Sequence, residues 1–375
     1  MNSVPLALAG TLGWLKALGT PAIALTWPLQ EWERVIRLAR RLRLLARMAE
    51  SVSAAGLMAQ VPAQPRRHLL AELRLSRWRS DSLKWTLRQV GAAIQPNDYP
   101  CVLLKGVAYM AQGLPIAVGR LPSDLDILVP RSALPKAQES LAAAGWRSLD
   151  MDEHDRRYYE EWSHEVPPMR HPRLGVELDL HHNILPPVGS NQIDADALLG
   201  QLQPSKWQPW HVLHPADQVL HCAAHLFLDS ELRDRVRDLV DLDGLLRHFG
   251  VDTQFWTSLL ERAGQLGLAE PLALACHFCT RWLDTPVPPT IQAAVANLGP
   301  GRIRRAWLLP LFELVLTPTP PDEMPSRTTD VAAAVLLARY HRRRLPVHML
   351  VPHLWHKVWT RGLSEAKPES AAVGP

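Results

Sequence analysis

Two short apolar runs with fixed polar neighbours constrain this chain most. Leu103-Leu104 runs into Lys105-Gly106, and Arg120-Leu121-Pro122-Ser123 leads into Asp124-Leu125-Asp126-Ile127-Leu128-Val129. Side chains alternate faces along a strand, so Asp124 and Asp126 would project together while Leu125 and Ile127 enter a core. Two carboxylates converging on one point repel unless a cation lies between them. Oxygen ligands of this kind suit Mg²⁺, which keeps several waters and takes one or two carboxylates plus substrate phosphates. The pair directs attention to metal-assisted phosphoryl or nucleotidyl chemistry.

Around these runs the pattern divides into three zones. Residues 1–96 form an N-terminal helical region: from 28 to 96, apolar residues from Trp32 through Leu42 to Met48 recur at helix-like intervals among arginines, and a second helix fits 67–93. The arginines read as a solvated helix face, since their stems cover apolar stripes well. Residues 97–185 change character, with strands predicted over 101–104, 125–129, 158–166 and 175–181 and helices over 107–112 and 132–144. Ser132 is the predicted N-cap of the latter helix, with Gly145 at its C-terminal end. Residues 186–363 read as a C-terminal helical region, with helices over 215–229, 231–249, 253–264 and 270–283. Proline-rich loops follow at 285–290 and 317–325, then an apolar stretch over 331–340 running into basic residues 341–344. The polar, small-residue segment 364–375 reads as a disordered tail.

Composition excludes some classes. A chain of 375 residues with a formal charge of +4 is long enough for a sizeable core, and its mild positive excess does not single out nucleic acid as a partner. Cys101, Cys222, Cys276 and Cys279, in a chain of this length without a secretory pattern, point to reduced thiols and a cytoplasmic protein. No basic segment precedes the apolar N-terminus, so no signal peptide is expected, and no membrane span stands out.

At residues 103–106, 120, 124–129 and 177–182 (Glu-Leu-Asp-Leu-His-His), the chain resembles a bacterial uncharacterised nucleotidyltransferase family of the polymerase-β-like superfamily. Leu220-His221-Cys222-Ala223-Ala224-His225 and Arg237-Asp238-Leu239-Val240-Asp241-Leu242 extend the likeness, which covers about 32–249. The resemblance implies an α+β fold, a mixed sheet with helices embedded between N- and C-terminal helical regions. It implies that Asp124 and Asp126 hold two Mg²⁺ ions, or Mn²⁺ in their place, bridging the triphosphate of an NTP. Asp179 would be the third carboxylate, sharing one metal and activating the attacking hydroxyl. The reaction would be in-line displacement at the α-phosphorus with pyrophosphate leaving. Lys105 and Arg120 become candidates for triphosphate contacts, and Gly106 allows close approach at a helix N-terminus. The acceptor would be a hydroxyl on a small molecule, glycan or protein.

Other readings compete. The wider superfamily places Gly-Gly or Gly-Ser at the phosphate turn, whereas Val107 follows Gly106 here, and the segment from Gly106 to Asp124 is longer than in minimal members. A nucleotidyltransferase-fold protein with weak or no turnover, serving a binding or toxin–antitoxin-like regulatory role, therefore stays open. An Asp-x-Asp glycosyltransferase would need an α/β nucleotide-binding domain ahead of the motif, where this chain reads as helical. Glu177 competes with Asp179, and His181 or His182 could orient a carboxylate. His221 and His225 have i, i+4 spacing but lack the glutamate of a zinc-protease signature. Arg237 and Asp238 are expected to support the nucleotide or acceptor pocket. Cys276-His277-Phe278-Cys279 and Trp207, Trp210, Trp355 and Trp359 read as core packing. Arg342, Arg343 and Arg344, with His356, Lys357 and Arg361, read as a solvated helix end.

Overall fold

The computed structural model describes residues 12–94, 98–149 and 162–344, together with Arg157 and Tyr159. The predicted tail and the residues Trp355, His356, Lys357, Trp359 and Arg361 lie outside these. The architecture is α+β. Seven strands form one mixed sheet: β1 (Val102–Leu103), β2 (Asp124–Leu128), β3 (Arg147–Ser148), β4 (Met169–His171), β5 (Leu174–His181), β6 (Gln203–Pro204) and β7 (His211–Val212), in the order β3-β4-β5-β2-β1-β7-β6.

The centre of the sheet is built from the motifs that stood out in the sequence. Leu125, Ile127, Leu178 and Leu180 are completely buried, and they hold β2 and β5 side by side in parallel. β1 runs antiparallel to β2 on its other side, with Leu103 opposite Ile127. β1 then gives way at Leu104 to the Lys105–Gln112 helix, which closes on Gly113 in the left-handed conformation that glycine adopts without steric cost. No side chain caps the N-terminus of this helix.

Helices cover the sheet. Leu29–Arg41, Leu45–Ala54 and Ala63–Ile94 precede it, and Pro215–Phe227, Val236–Phe249, Thr253–Gln265 and Ala269–Leu283 follow. Pro289–Leu298, Arg302–Leu316 and Arg327–Arg344 complete the described chain. Phe227 stacks on Phe278 and meets Phe312 edge-on, tying three of these helices together. The four cysteines are buried and free, Trp210 is buried, and Trp207 packs against the core. Among the described residues, no helix is long and apolar enough to cross a membrane.

Four local expectations are corrected. The helical run from Trp32 to Met48 is two helices, broken where Arg43 takes φ +56°. Leu42 and Leu44 are both buried, and residues two apart lie on opposite sides of a helix, so only a turn buries both. The helix expected from Ser132 begins at Leu134 after a 3₁₀ turn, with Pro135 rather than a Ser132 cap marking its first turn. Among the described residues of 158–166 no strand forms: Tyr159 and Trp162 are helical, and Glu165 makes only an isolated bridge to His181. Pro167 and Pro168 lack the donors a ladder needs, so β4 starts beyond them at Met169. Finally, the arginines of the first helices are not all solvated, since Arg47 reaches inward to the Ile116 carbonyl at 2.9 Å.

Candidate active site

Parallel pairing of β2 with β5 sets Asp126 beside Asp179 and Asp124 beside Glu177. With side chains alternating, all four carboxylates share one face of the sheet. Asp124, Asp126 and Asp179 each bring an oxygen to within 4.8 Å of the others. Glu177 does not join them, because its carboxylate accepts from Arg170 Nε at 2.9 Å.

Lys105 lies at the junction of β1 with its helix, at φ +48°, a conformation that strains a residue with a side chain. Its ammonium donates to Asp126 Oδ1 at 2.7 Å, and His181 Nε2 meets the same oxygen at 3.1 Å. Burial works against ionising Asp126, yet Lys105 and His181 overcome it and hold the carboxyl well below its ordinary range. Asp179 goes the other way. Burial first, then Asp126 and Glu165, push it up to about 7. Neighbouring carboxyls with opposite shifts divide naturally into a permanent anion and a proton acceptor. His181 is raised, its burial outweighed by Asp126 and Glu165; its Nδ1 lies 3.5 Å from Glu165.

Around the carboxylates opens a cavity of about 480 Å³ whose wall carries Arg41, Arg43, Lys105, Arg120, Arg235 and Arg237 alongside acids that pair with several of them. Arg120 is 9% exposed and donates through Nε to Asp241 at 2.6 Å. Burial opposes its charge, but Asp241 and Tyr109 raise its pKa above the ordinary arginine value. The guanidinium packs directly on Gly106: a β-carbon there would fall 2.7 Å from Arg120 Cζ. Close approach at Gly106 is thus made by Arg120. Arg235 is committed to Asp238 at 2.5 Å. Arg237 is less well matched: its Nη1 is buried with no hydrogen-bond partner, and burial, then Arg120, lowers its pKa. A buried, under-compensated guanidinium in this wall calls for an anion.

All six residues singled out in the sequence therefore line one cavity: Lys105, Gly106, Arg120, Asp124, Asp126 and Asp179. His221 and His225 have ring centroids 6.4 Å apart, and both are lowered by burial, His221 to about 3. Neither belongs to the two candidate metal-ligating groups among the described residues. The second of these groups, His164, Glu165 and His181, was not anticipated. Nothing in the local pattern of Ser163-His164-Glu165 signals it, because the backbone there is irregular and has no period.

Three carboxylates on paired parallel strands, beside an uncapped helix N-terminus and a cavity lined by Lys105 and several arginines, fit a nucleotidyltransferase core. The chain matches the model of the uncharacterised nucleotidyltransferase family over residues 28–284 and belongs to that family. No curated protein and no solved structure matches it.

Proposed function

We propose that this protein moves a nucleoside monophosphate from an NTP to a hydroxyl of a small molecule, glycan or protein in the cytoplasm, releasing pyrophosphate. The observation that carries the reading is the convergence of Asp124, Asp126 and Asp179 within 4.8 Å, on a cavity that also presents Lys105, Arg120 and Arg237. This all-oxygen donor set carries negative charge that Lys105 alone does not balance. It fits a hard divalent cation, Mg²⁺ or Mn²⁺, held by these three residues. When bound, such an ion neutralises charge on the attacking and departing oxygens.

The chain's own groups supply the rest. Lys105, Arg120 and Arg237, with the uncapped N–H groups of the Lys105–Gln112 helix, receive the triphosphate. Lys105 and His181 keep Asp126 ionised and fixed in orientation. Asp179 takes the proton of the acceptor hydroxyl as its oxygen attacks the α-phosphorus. Incubation with α-labelled and γ-labelled NTPs tests the reading: α-label should move to an acceptor, γ-label should leave as pyrophosphate, and Asp124→Asn should stop both. No release of label, or release unchanged in Asp124→Asn, overturns it.

Two observations favour a second reading. The Lys105 ammonium already sits on Asp126, and Val107 is buried where the wider superfamily places a phosphate-binding serine. A regulatory protein that binds nucleotide without turnover fits those two facts. Its signature is metal-dependent NTP binding with no label released across the same acceptors. The glycosyltransferase alternative lacks its required α/β domain, since the described residues from 29 to 94 are helical or loop.

A further inference from the structure

Nucleotidyl transfer needs room for two molecules, and the described chain has two cavities that meet. The first holds the carboxylates. The second, of about 270 Å³, shares Lys105, Glu165 and His225 with it as a common wall. Ala224 comes from the same Pro215–Phe227 helix as His225, but most of the remaining lining comes from other elements. Ile184, Leu185 and Val188 follow β5, and Arg339, Tyr340 and Arg343 come from the Arg327–Arg344 helix.

The charge of this second wall is out of balance. Arg339 and Arg343 both donate to the Glu270 carboxylate, which also takes Arg304 at 2.8 Å, so three guanidiniums share one anion. The Nε atoms of Arg339 and Arg343 are buried without hydrogen-bond partners. Asp229, an acid on this lining, is already engaged by Arg235 at 3.3 Å. Burial lowers Arg339, and Arg344, which also lines the cavity, donates to the Tyr340 hydroxyl. The expected solvated helix end is thus a cavity wall at Arg343 and Arg344. A nucleobase and ribose are neutral and would leave this surplus unmatched, whereas an anionic group would answer it.

We propose that the second cavity is the acceptor subsite and that the acceptor is a small hydroxyl compound bearing a carboxylate or phosphate. The proposal rests on the nucleotidyl-transfer reading. The acceptor's anionic group sits among Arg339, Arg343 and Arg344, and its hydroxyl reaches past Lys105 and Glu165 toward Asp179. There the hydroxyl oxygen bonds to the α-phosphorus, its proton passes to Asp179, and the bond from the α-phosphorus to the bridging oxygen breaks as pyrophosphate leaves.

Ligand-observed NMR on the full chain tests this with glucose, gluconate and glucose 6-phosphate as matched probes. Gluconate or glucose 6-phosphate should bind, and glucose should bind roughly tenfold more weakly or worse, as loss of charge-assisted hydrogen bonds predicts. Comparing the two charged probes separates a carboxylate site from a phosphate site. Saturation with Mg²⁺ and an α,β-methylene NTP should leave probe binding in place. Val188→Trp should fill the cavity and remove probe binding while nucleotide still binds, which also reports a folded protein. Arg343→Gln should weaken the charged probes and leave glucose unchanged. The proposal is overturned by equal binding of glucose, by binding of neither charged probe, or by probe binding that survives both variants. Displacement of the probe by nucleotide would assign the cavity to the nucleoside instead. Failure of nucleotide to bind the unmodified protein would sink the transfer reading by itself, because probe binding is measured separately.

Discussion

Gly106→Ala probes the contact that joins the phosphate turn to the helical layer. A methyl group at 106 would lie 2.7 Å from Arg120 Cζ and 3.0 Å from Pro122 Cγ, well inside the roughly 3.5–4.0 Å at which carbon atoms rest. Arg120 cannot swing away freely, since its guanidinium is tied to Asp241, which is 3% exposed. Displacing it strands a buried carboxylate, which costs on the order of 3–5 kcal/mol. Alanine recovers at most about 1 kcal/mol of helix propensity over glycine. The net expected loss is therefore ~2–4 kcal/mol from these two terms. Urea denaturation followed by tryptophan fluorescence at pH 7 measures it. A control separates the proposed cause from a general intolerance at 106. In an Arg120→Leu/Asp241→Leu background no guanidinium is displaced, and the same substitution should cost under about 1 kcal/mol, a non-additivity that a double-mutant cycle reads directly. Equal costs in the two backgrounds, or a single variant within about 0.5 kcal/mol of the parent, would refute the reasoning.

Other expectations follow from the same structure. Asp217 is fully buried and chelates Arg262 at 2.9 and 2.8 Å. Asp217→Ala should cost about 3–5 kcal/mol, and Asp217→Leu with Arg262→Leu should restore most of it; a calorimetric change under 1 kcal/mol for the single variant argues against a closed pair. His221 is depressed to about 3 by burial, then by Lys105 and His181, and His164 and His225 are also well below their ordinary value of 6.5. Such groups leave stability intact above pH ~6.5, where both states are neutral. Stability falls as pH drops toward 3, by about 1.4 kcal/mol per unit for each histidine, because only the unfolded chain takes up the proton. His221→Gln should flatten the loss between pH 7 and 5, and superimposable profiles would contradict it. Asp179→Asn, assayed at saturating divalent cation and NTP so that its share in holding the metal is satisfied, should reduce turnover by ~10²–10⁴ as a lost proton acceptor; unchanged turnover under those conditions would remove the base role.

The parts of the fold legible in the sequence are those whose side chains obey a local period. Val176-Glu177-Leu178-Asp179-Leu180-His181 alternates cleanly, and β5 occupies Leu174–His181. Pro215–Phe227, Thr253–Gln265 and Ala269–Leu283 fall near their expected bounds because glycine, proline and aspartate punctuate them, with Asp252 accepting from Gln254 N as a side-chain cap. The helix expected from 231 begins only at Val236, and Arg302–Leu316 has no counterpart among the expected helices. Misreadings came where tertiary burial overrode the period. Leu42, Leu45 and Met48 fit a continued helix from Trp32 on spacing alone, yet the core accepts Leu42 and Leu44 together only through the turn at Arg43.

The site divides along the same line. Asp124, Asp126 and Asp179 could be found because two-residue spacing on a strand fixes a face, and the parallel register then makes the faces coincide. Arg120 could be named but not its partner, since 121 positions separate it from Asp241 and no local pattern links a buried charge to its counterion. The same holds at the other wall. Arg343 reads in sequence as one of a basic cluster ending a helix, and such clusters are ordinarily solvated. Its distinguishing fact is Glu270, itself 11% exposed in its side chain and lying 73 positions upstream. Only a chain already folded reveals that one carboxylate serves Arg304, Arg339 and Arg343, and that imbalance, rather than the number of arginines, gives the second cavity its preference for an anion.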